Sequence, residues 1–158
     1  MTEFTERDLR DACGAFATGV TIVTTRSEGK PLGITANSFS SLSMDPPLVM
    51  WAPARRSARF EAFTLAERFT IHILNAEQLD LAAGFARSGD APFAEVEWQE
   101  GPDGVPEFPG CAAVLRCRHH AIHPGGDHAI VVGHVESVSH DAKAHPLVFH
   151  AGLYPRLA

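Results

Sequence analysis

The 158-residue sequence has no apolar run near the ~18–20 residues that a membrane-spanning helix needs. Its first eleven residues, four of them acidic, lack the basic-then-apolar order of a secretory leader. It also lacks a basic excess: 13 Lys and Arg stand against 19 Asp and Glu, a formal charge of −6 with histidine neutral. Sequence-independent nucleic-acid binding rests on neutralising phosphates, so this balance argues against that class. Cysteine is scarce. Cys13, Cys111 and Cys117 form no regular framework, and an odd number argues for reduced, hydrophobically packed thiols. There is no strand–GxGxxG–helix unit, which argues against a Rossmann nucleotide domain, and no HExxH or nucleophile elbow. Cys111, Cys117, His119 and His123 do not fit a standard zinc spacing. The expectation is a cytoplasmic protein with no membrane or nucleic-acid partner and no metal.

A hydrophobic fraction of 45% is enough to bury a core, and the length fits one domain over residues 1–158. Thr5 and Asp8 have capping-box spacing, predicting a helix over residues 5–17 with Leu9, Ala12, Cys13 and Phe16 on one face and Gly19 as its stop. β-Branched residues predict a strand over 19–25, and strands follow over 32–42, 47–52 and 68–74. Ser57 is placed to cap a helix over 57–66. Asn75 and Gln78 resemble a second capping box, opening a helix to about Arg87. Residues 88–110, with four prolines, read as loop. Two long strands, 112–122 and 127–138, flank a Pro124-Gly125-Gly126 turn, with Arg116, Arg118 and His120 on one face. A last short strand ends near Tyr154. About seven strands joined largely by short turns point to an antiparallel sheet, whose exposed edges are best removed by closing a barrel. The fold expected from pattern alone is mainly β: a small barrel with two or three covering helices.

Three segments carry chemistry. From Thr35 to Ser43, six of nine side chains are hydroxyls or amides, on both parities of a strand that should alternate polar with apolar. Such a strand faces either water or a polar, planar ligand whose edge its donors and acceptors can meet. Next, Arg55, Arg56 and Arg59 gather with Ser57 where a helix should begin. That is either a phosphate pocket or a solvated basic turn. Third, His128 follows Gly125-Gly126-Asp127, either as a ligand-facing imidazole or as an exposed turn residue.

Together these segments resemble the flavin reductase family with the FMN-binding split-barrel fold, the short-chain reductase component of two-component monooxygenases. The likeness rests on Phe16-Ala17-Thr18-Gly19-Val20-Thr21, on Gly33 through Ser43 with Asp45-Pro46-Pro47-Leu48-Val49, and on Phe69-Thr70-Ile71-His72-Ile73-Leu74. It continues through Leu81-Ala82-Ala83-Gly84-Phe85-Ala86, Gly126-Asp127-His128 with Gly133, and the tail from Pro146-Leu147 to Gly152 and Tyr154. The resemblance implies an antiparallel, Greek-key-like split barrel. It implies an NAD(P)H-dependent reduction of FMN or FAD, with NADH or NADPH as donor, for a partner flavin-dependent monooxygenase. It implies that Thr35, Asn37, Ser38, Ser40 and Ser41 line the flavin ring and ribityl chain. Ala52, Ser57 and Arg59 would hold the phosphate end, and Phe85, Ala86 and Arg87 would close the pocket. His128 would sit near the nicotinamide, with Tyr154 contributing from the terminal strand. A homodimer with flavin at the subunit interface is implied too. His72 departs from the family, standing where asparagine is usual, as does His134, where an acidic residue is common. The alternatives are an FMN-retaining oxidoreductase of an organic substrate and a non-catalytic flavin- or haem-binding module.

Overall fold

In the computed structural model, which describes residues 3–87 and 92–158, Thr5 opens the first helix, α1 (Glu6–Gly14). The Asp8 carboxylate accepts from the Thr5 amide at 2.7 Å, and the Thr5 hydroxyl accepts from the Asp8 amide at 3.2 Å. This is the capping box that the spacing predicts. The helix stops at Gly14, earlier than expected. Thr18–Gly19 (β1) pairs with Val148–Phe149 (β11), and the Ala151 amide donates to the Gly14 carbonyl at 3.1 Å. The apolar face of α1 is not core: none of its residues is buried, and Phe16 just beyond it is 78% exposed.

The remaining elements are β2 (Thr21–Ser27), β3 (Lys30–Ala36), β4 (Ser40–Met44), β5 (Pro47–Trp51), α2 (Phe60–Leu65), β6 (Arg68–Ile73), α3 (Leu79–Ala86), β7 (Gln99–Glu100), β8 (Pro106–Glu107), β9 (Ala113–Gly125) and β10 (His128–His140). Seven strands form one antiparallel sheet in the order β3-β2-β6-β9-β10-β5-β4. The single strand expected over 32–42 is two strands, and they lie at opposite edges of this sheet. The break falls at residues 37–39. Those three residues carry the chain from one edge to the other, which curls the sheet into a barrel with a seam.

Alternation along the strands divides the apolar residues into two cores. Val23, Val49, Trp51, Phe69, Ile71, Cys117 and Val131 come from five strands yet share one cluster, joined by Phe63 of α2. That is the barrel interior, where Trp51 and Phe63 meet edge to face at 5.3 Å. Each large ring buried there contributes about 1.5–3 kcal/mol. Ile22, the neighbour of Val23, points the other way, to a second cluster with Leu74, Ala82, Phe85, Phe93 and Phe108 under α3. Covered on both faces, β2 buries three threonines, and each hydroxyl finds a carbonyl: Thr21 on Ala36, Thr24 on Pro106 and Thr25 on Arg68.

Several predicted boundaries shift. Ser57 does not cap α2; its hydroxyl accepts from the Arg59 amide at 3.2 Å within a turn, and the helix begins at Phe60. At Asn75 only half of the box forms. The Gln78 side chain accepts from the Asn75 amide, while the Asn75 side chain accepts from Glu77, so α3 waits until Leu79 and ends at Ala86 rather than Arg87. The loop expected over 88–110 contains the short β7–β8 pair, and its first four residues, 88–91, lie outside the described residues. The last strand is Val148–Phe149, short of Tyr154, and it lies outside the main sheet. The β9–β10 hairpin is close to prediction, with a two-residue turn in which Gly126 takes φ +68°. A bulge at His120 interrupts the expected alternation of Arg116, Arg118 and His120.

Candidate functional site

The crossover at residues 37–39 organises the site because it must be fastened at both edges of the sheet. On the β3 side, the half-buried Thr35 hydroxyl donates to the Ala82 carbonyl of α3 at 2.6 Å. On the β5 side, the Ser38 hydroxyl accepts from the Ala52 amide at 2.9 Å and faces its carbonyl at 3.3 Å. Asn37, between them, is exposed and borders two clefts, of about 630 Å³ and 220 Å³. The larger is also lined by Cys13, Phe16, Thr18 and Phe149. Ser40 and Ser41 are exposed on β4, and the Ser40 hydroxyl donates to the Ser41 carbonyl.

Ala52 leads into the arginine-rich turn. Arg59 reaches from it to the end of α3, donating to the Arg87 carbonyl at 2.9 Å and the Phe85 carbonyl at 3.5 Å. A guanidinium at those carbonyls suits a helix C-terminus, where the partial charge is negative. The Phe85 ring is fully buried against Phe93 and Phe108, so this residue presents its backbone rather than its ring. Ala86 and Arg87 are exposed beside it.

The same turn reaches the tip of the long hairpin. Ala54 forms an antiparallel bridge with His128, the Arg55 amide donates to the Asp127 carbonyl at 2.9 Å, and the Ala129 amide donates to the Pro53 carbonyl at 3.1 Å. His128 is half-exposed, and its Nδ1 lies 2.7 Å from the Asp127 carboxylate. The bond from His128 holds the Asp127 carboxyl below its ordinary range.

Thr35, Ser38, Ala52, Ser57, Arg59, Phe85, Arg87 and His128 are thus linked by direct contacts or short turns, although they span residues 35–128 of the chain. Tyr154 is placed apart. It packs on Phe149 at 5.3 Å, and among the described residues no hydrogen bond or ring contact joins it to His128. Phe149 borders the same large cleft as Asn37, whereas Tyr154 packs behind Phe149 and is not among the residues that line it.

The donor set fits a flavin in chemistry. An isoalloxazine offers donors and acceptors at its pyrimidine edge, and Asn37 has an amide with no protein partner among the described residues at a cleft of sufficient size. Sequence reasoning missed Phe16 and Thr18 as cleft residues, because Phe16 continues the apolar face of α1 and reads as core. It also missed the pairing of residues 53–55 with the hairpin tip, which leaves no local signal. His72, the family departure, is buried outside the site, with its Nδ1–H donating to the Ile22 carbonyl at 3.0 Å. Burial pushes its pKa down to about 4.

Comparison with known proteins places the chain among flavin reductases. The chain is 46% identical over 152 residues to the FMN reductase (NADH) SmoA of Agrobacterium fabrum, covering 96% of this chain and 86% of that protein. It is 37% identical over 148 residues to HsaB of Rhodococcus jostii, the reductase subunit of a flavin-dependent monooxygenase, covering 94% and 76%. The solved structure of the NADH:FAD oxidoreductase SgcE6 of Streptomyces globisporus, in complex with NAD and FAD fragments, superposes with a TM-score of 0.93 at 34% identity, covering 99% and 98%. With residues 13–158 matching the flavin reductase like domain, this chain belongs to that family.

Proposed function

We infer that this chain is an NAD(P)H:flavin oxidoreductase that reduces FMN or FAD and supplies it, by diffusion, to a partner flavin-dependent monooxygenase. The observation that carries the reading is the convergence on one side of the barrel of three segments distant in sequence: the hydroxyl-rich crossover, the arginine turn and the His128 hairpin tip. The reaction moves hydride from nicotinamide C4 to flavin N5, chemistry that the two cofactors supply themselves. The protein's part is to hold them in register and to exclude water. Asn37, with Thr35, Ser38, Ser40 and Ser41, meets the ring and ribityl chain. Ala52, Ser57 and Arg59 take the phosphate end, and Phe85 through its backbone, with Ala86 and Arg87, closes the pocket. His128 meets the nicotinamide, and Tyr154 contributes beside the large cleft.

Exposed apolar side chains of the α1 region and of the C-terminal tail, Phe16 of the large cleft among them, fit a second copy of the chain. Leu9, Phe16, Leu153 and Leu157 are 52%, 78%, 69% and 59% exposed, an arrangement that favours association. We place the enzyme in the cytoplasm as a homodimer, with the flavin sites completed across the interface. Light scattering after gel filtration checks the dimer.

The decisive experiment is oxidation of NADH and NADPH with FMN, FAD and riboflavin in turn. Saturation in added flavin, with the protein colourless after gel filtration, is the expected result. Flavin that stays bound in stoichiometric amount, with no turnover of added flavin, would instead identify an FMN-retaining oxidoreductase.

A further inference from the structure

Three arginines crowd the turn before α2, and their number suggests one anion site. The structure divides them. Arg59 turns to the end of α3. Arg55 turns the other way: its Nε–H donates to the Gly126 carbonyl at 3.0 Å, and its amide donates to the Asp127 carbonyl at 2.9 Å. Its guanidinium also lies 5.5 Å from the ring centroid of Phe60, the first residue of α2.

We propose that Arg55 is a positioning residue for His128, holding the hairpin tip against the flavin-side turn, and is not a ligand of the flavin phosphate. The proposal rests on the reading of His128 as the nicotinamide contact.

The tip needs such a strut. β9 pairs with β6 only over Ala113–Arg118, and β10 pairs with β5 only over Val131–His134. Beyond those rungs the hairpin projects past the sheet, and at its turn the ladder offers one partner strand instead of two. Residues 53–55 supply the missing edge through the Ala54–His128 bridge and the bond from Ala129 to Pro53. Arg55 adds a side-chain bond to the carbonyl of the turn glycine itself. Its planar fork can do this while resting on the Phe60 ring, a combination that lysine cannot reproduce. The two ligand segments are therefore joined by the backbone, and Arg55 sets the distance between them. Removing its side chain loosens a tip that then rests on backbone bonds alone, which shifts His128 relative to the nicotinamide without altering the groups that meet the flavin.

The test uses riboflavin, which has no phosphate, beside FMN. Arg55→Ala and Arg55→Lys are compared with the unaltered protein for the KM of NADH and of each flavin. The expected result is a KM for NADH raised about fivefold, the order of loss for one exposed charge-assisted contact, with FMN and riboflavin alike as acceptors and with unchanged discrimination between the two flavins. Lysine should not rescue. Without any ligand, the Ala129 amide should exchange with solvent faster in Arg55→Ala while the amides of β6 keep their protection. A selective loss of FMN over riboflavin would make Arg55 a phosphate ligand and overturn the proposal. Unchanged NADH constants with unchanged Ala129 exchange would overturn it too. An unaltered protein that reduces no flavin with NADH would instead remove the functional reading on which the proposal rests, leaving the exchange result to report on the strut.

Discussion

The Ser38 hydroxyl is held against both polar groups of the Ala52 backbone, 2.9 Å from the amide and 3.3 Å from the carbonyl. One side chain does there what a strand rung does elsewhere, and it does so at the seam where the sheet's two edges meet. Ser38→Ala leaves the Ala52 amide without its acceptor. The expected cost is about 1–2 kcal/mol in urea unfolding, together with a raised KM for flavin, since the crossover also carries Asn37. A variant with unchanged stability would show that the seam is closed by other contacts.

His128 stands at the hairpin tip with Asp127 bonded to its Nδ1, which leaves Nε2 as the atom free to meet a ligand. Purified His128→Ala should lose up to about tenfold in kcat/KM for NADH, the worth of one hydrogen bond, with the KM for flavin unaltered. Steady-state oxidation of NADH at saturating flavin measures this. Identical constants would end the assignment.

Buried His72 predicts a pH dependence of stability. Its pKa falls from 6.5 to about 4, first because burial disfavours the charged ring, against the opposing effect of its bond to the Ile22 carbonyl. The unfolded chain therefore takes up a proton near 6.5, and the folded chain does not until about 4. The contribution is complete above the higher value and is lost as pH falls through the window, by roughly 3 kcal/mol in all. Urea midpoints measured across this window should fall in the parent protein and fall less steeply in His72→Asn. Parallel slopes would contradict the account.

Gly33 begins the hydroxyl-rich motif, and its smallness serves packing. A Cβ there would lie 2.6 Å from the Phe85 ring. Gly33→Ala should cost about 1–3 kcal/mol through overpacking. Because the Phe85 carbonyl accepts from Arg59, flavin binding should weaken as well. Thermal unfolding and flavin titration read the two effects separately.

Thiol chemistry separates the three cysteines. Burial pushes Cys111 up to about 11 and Cys117 up to about 12, so neither offers a thiolate at neutral pH, whereas Cys13 is exposed. A chromogenic disulfide reagent should find one fast thiol in the dissociated monomer, slowed where a second copy covers the Cys13 cleft, and all three after denaturation. Loss of the fast thiol in Cys13→Ser identifies it.

The local signals were legible in the sequence. Thr5 and Asp8 specify a helix start by side-chain reach alone, β-branched runs mark β2 and β6, and the glycine turn marks the β9–β10 hairpin. Those features depend on neighbours a few residues away. The resemblance also named Thr35 and Ser38 for the flavin ring and ribityl chain and Ala52 and Arg59 for its phosphate end, and the fold joins Ser38 to Ala52 directly while tying Thr35 and Arg59 to α3. Composition and spacing could not tell that residues 32–42 break at Asn37, because each half is an acceptable strand; the break exists only because β3 and β4 lie at opposite edges of one sheet. Nor could spacing tell that Phe16 faces a cleft, that the Phe85 ring fills a core, or that Arg55 and Arg59 point in opposite directions. Side-chain type and period set which segments could pair and which residues could meet a ligand. Only the curled sheet decided which of them came together, because contacts between residues 35 and 82, 38 and 52, or 55 and 126 form when distant strands curl around a shared core, and no local preference encodes that curl.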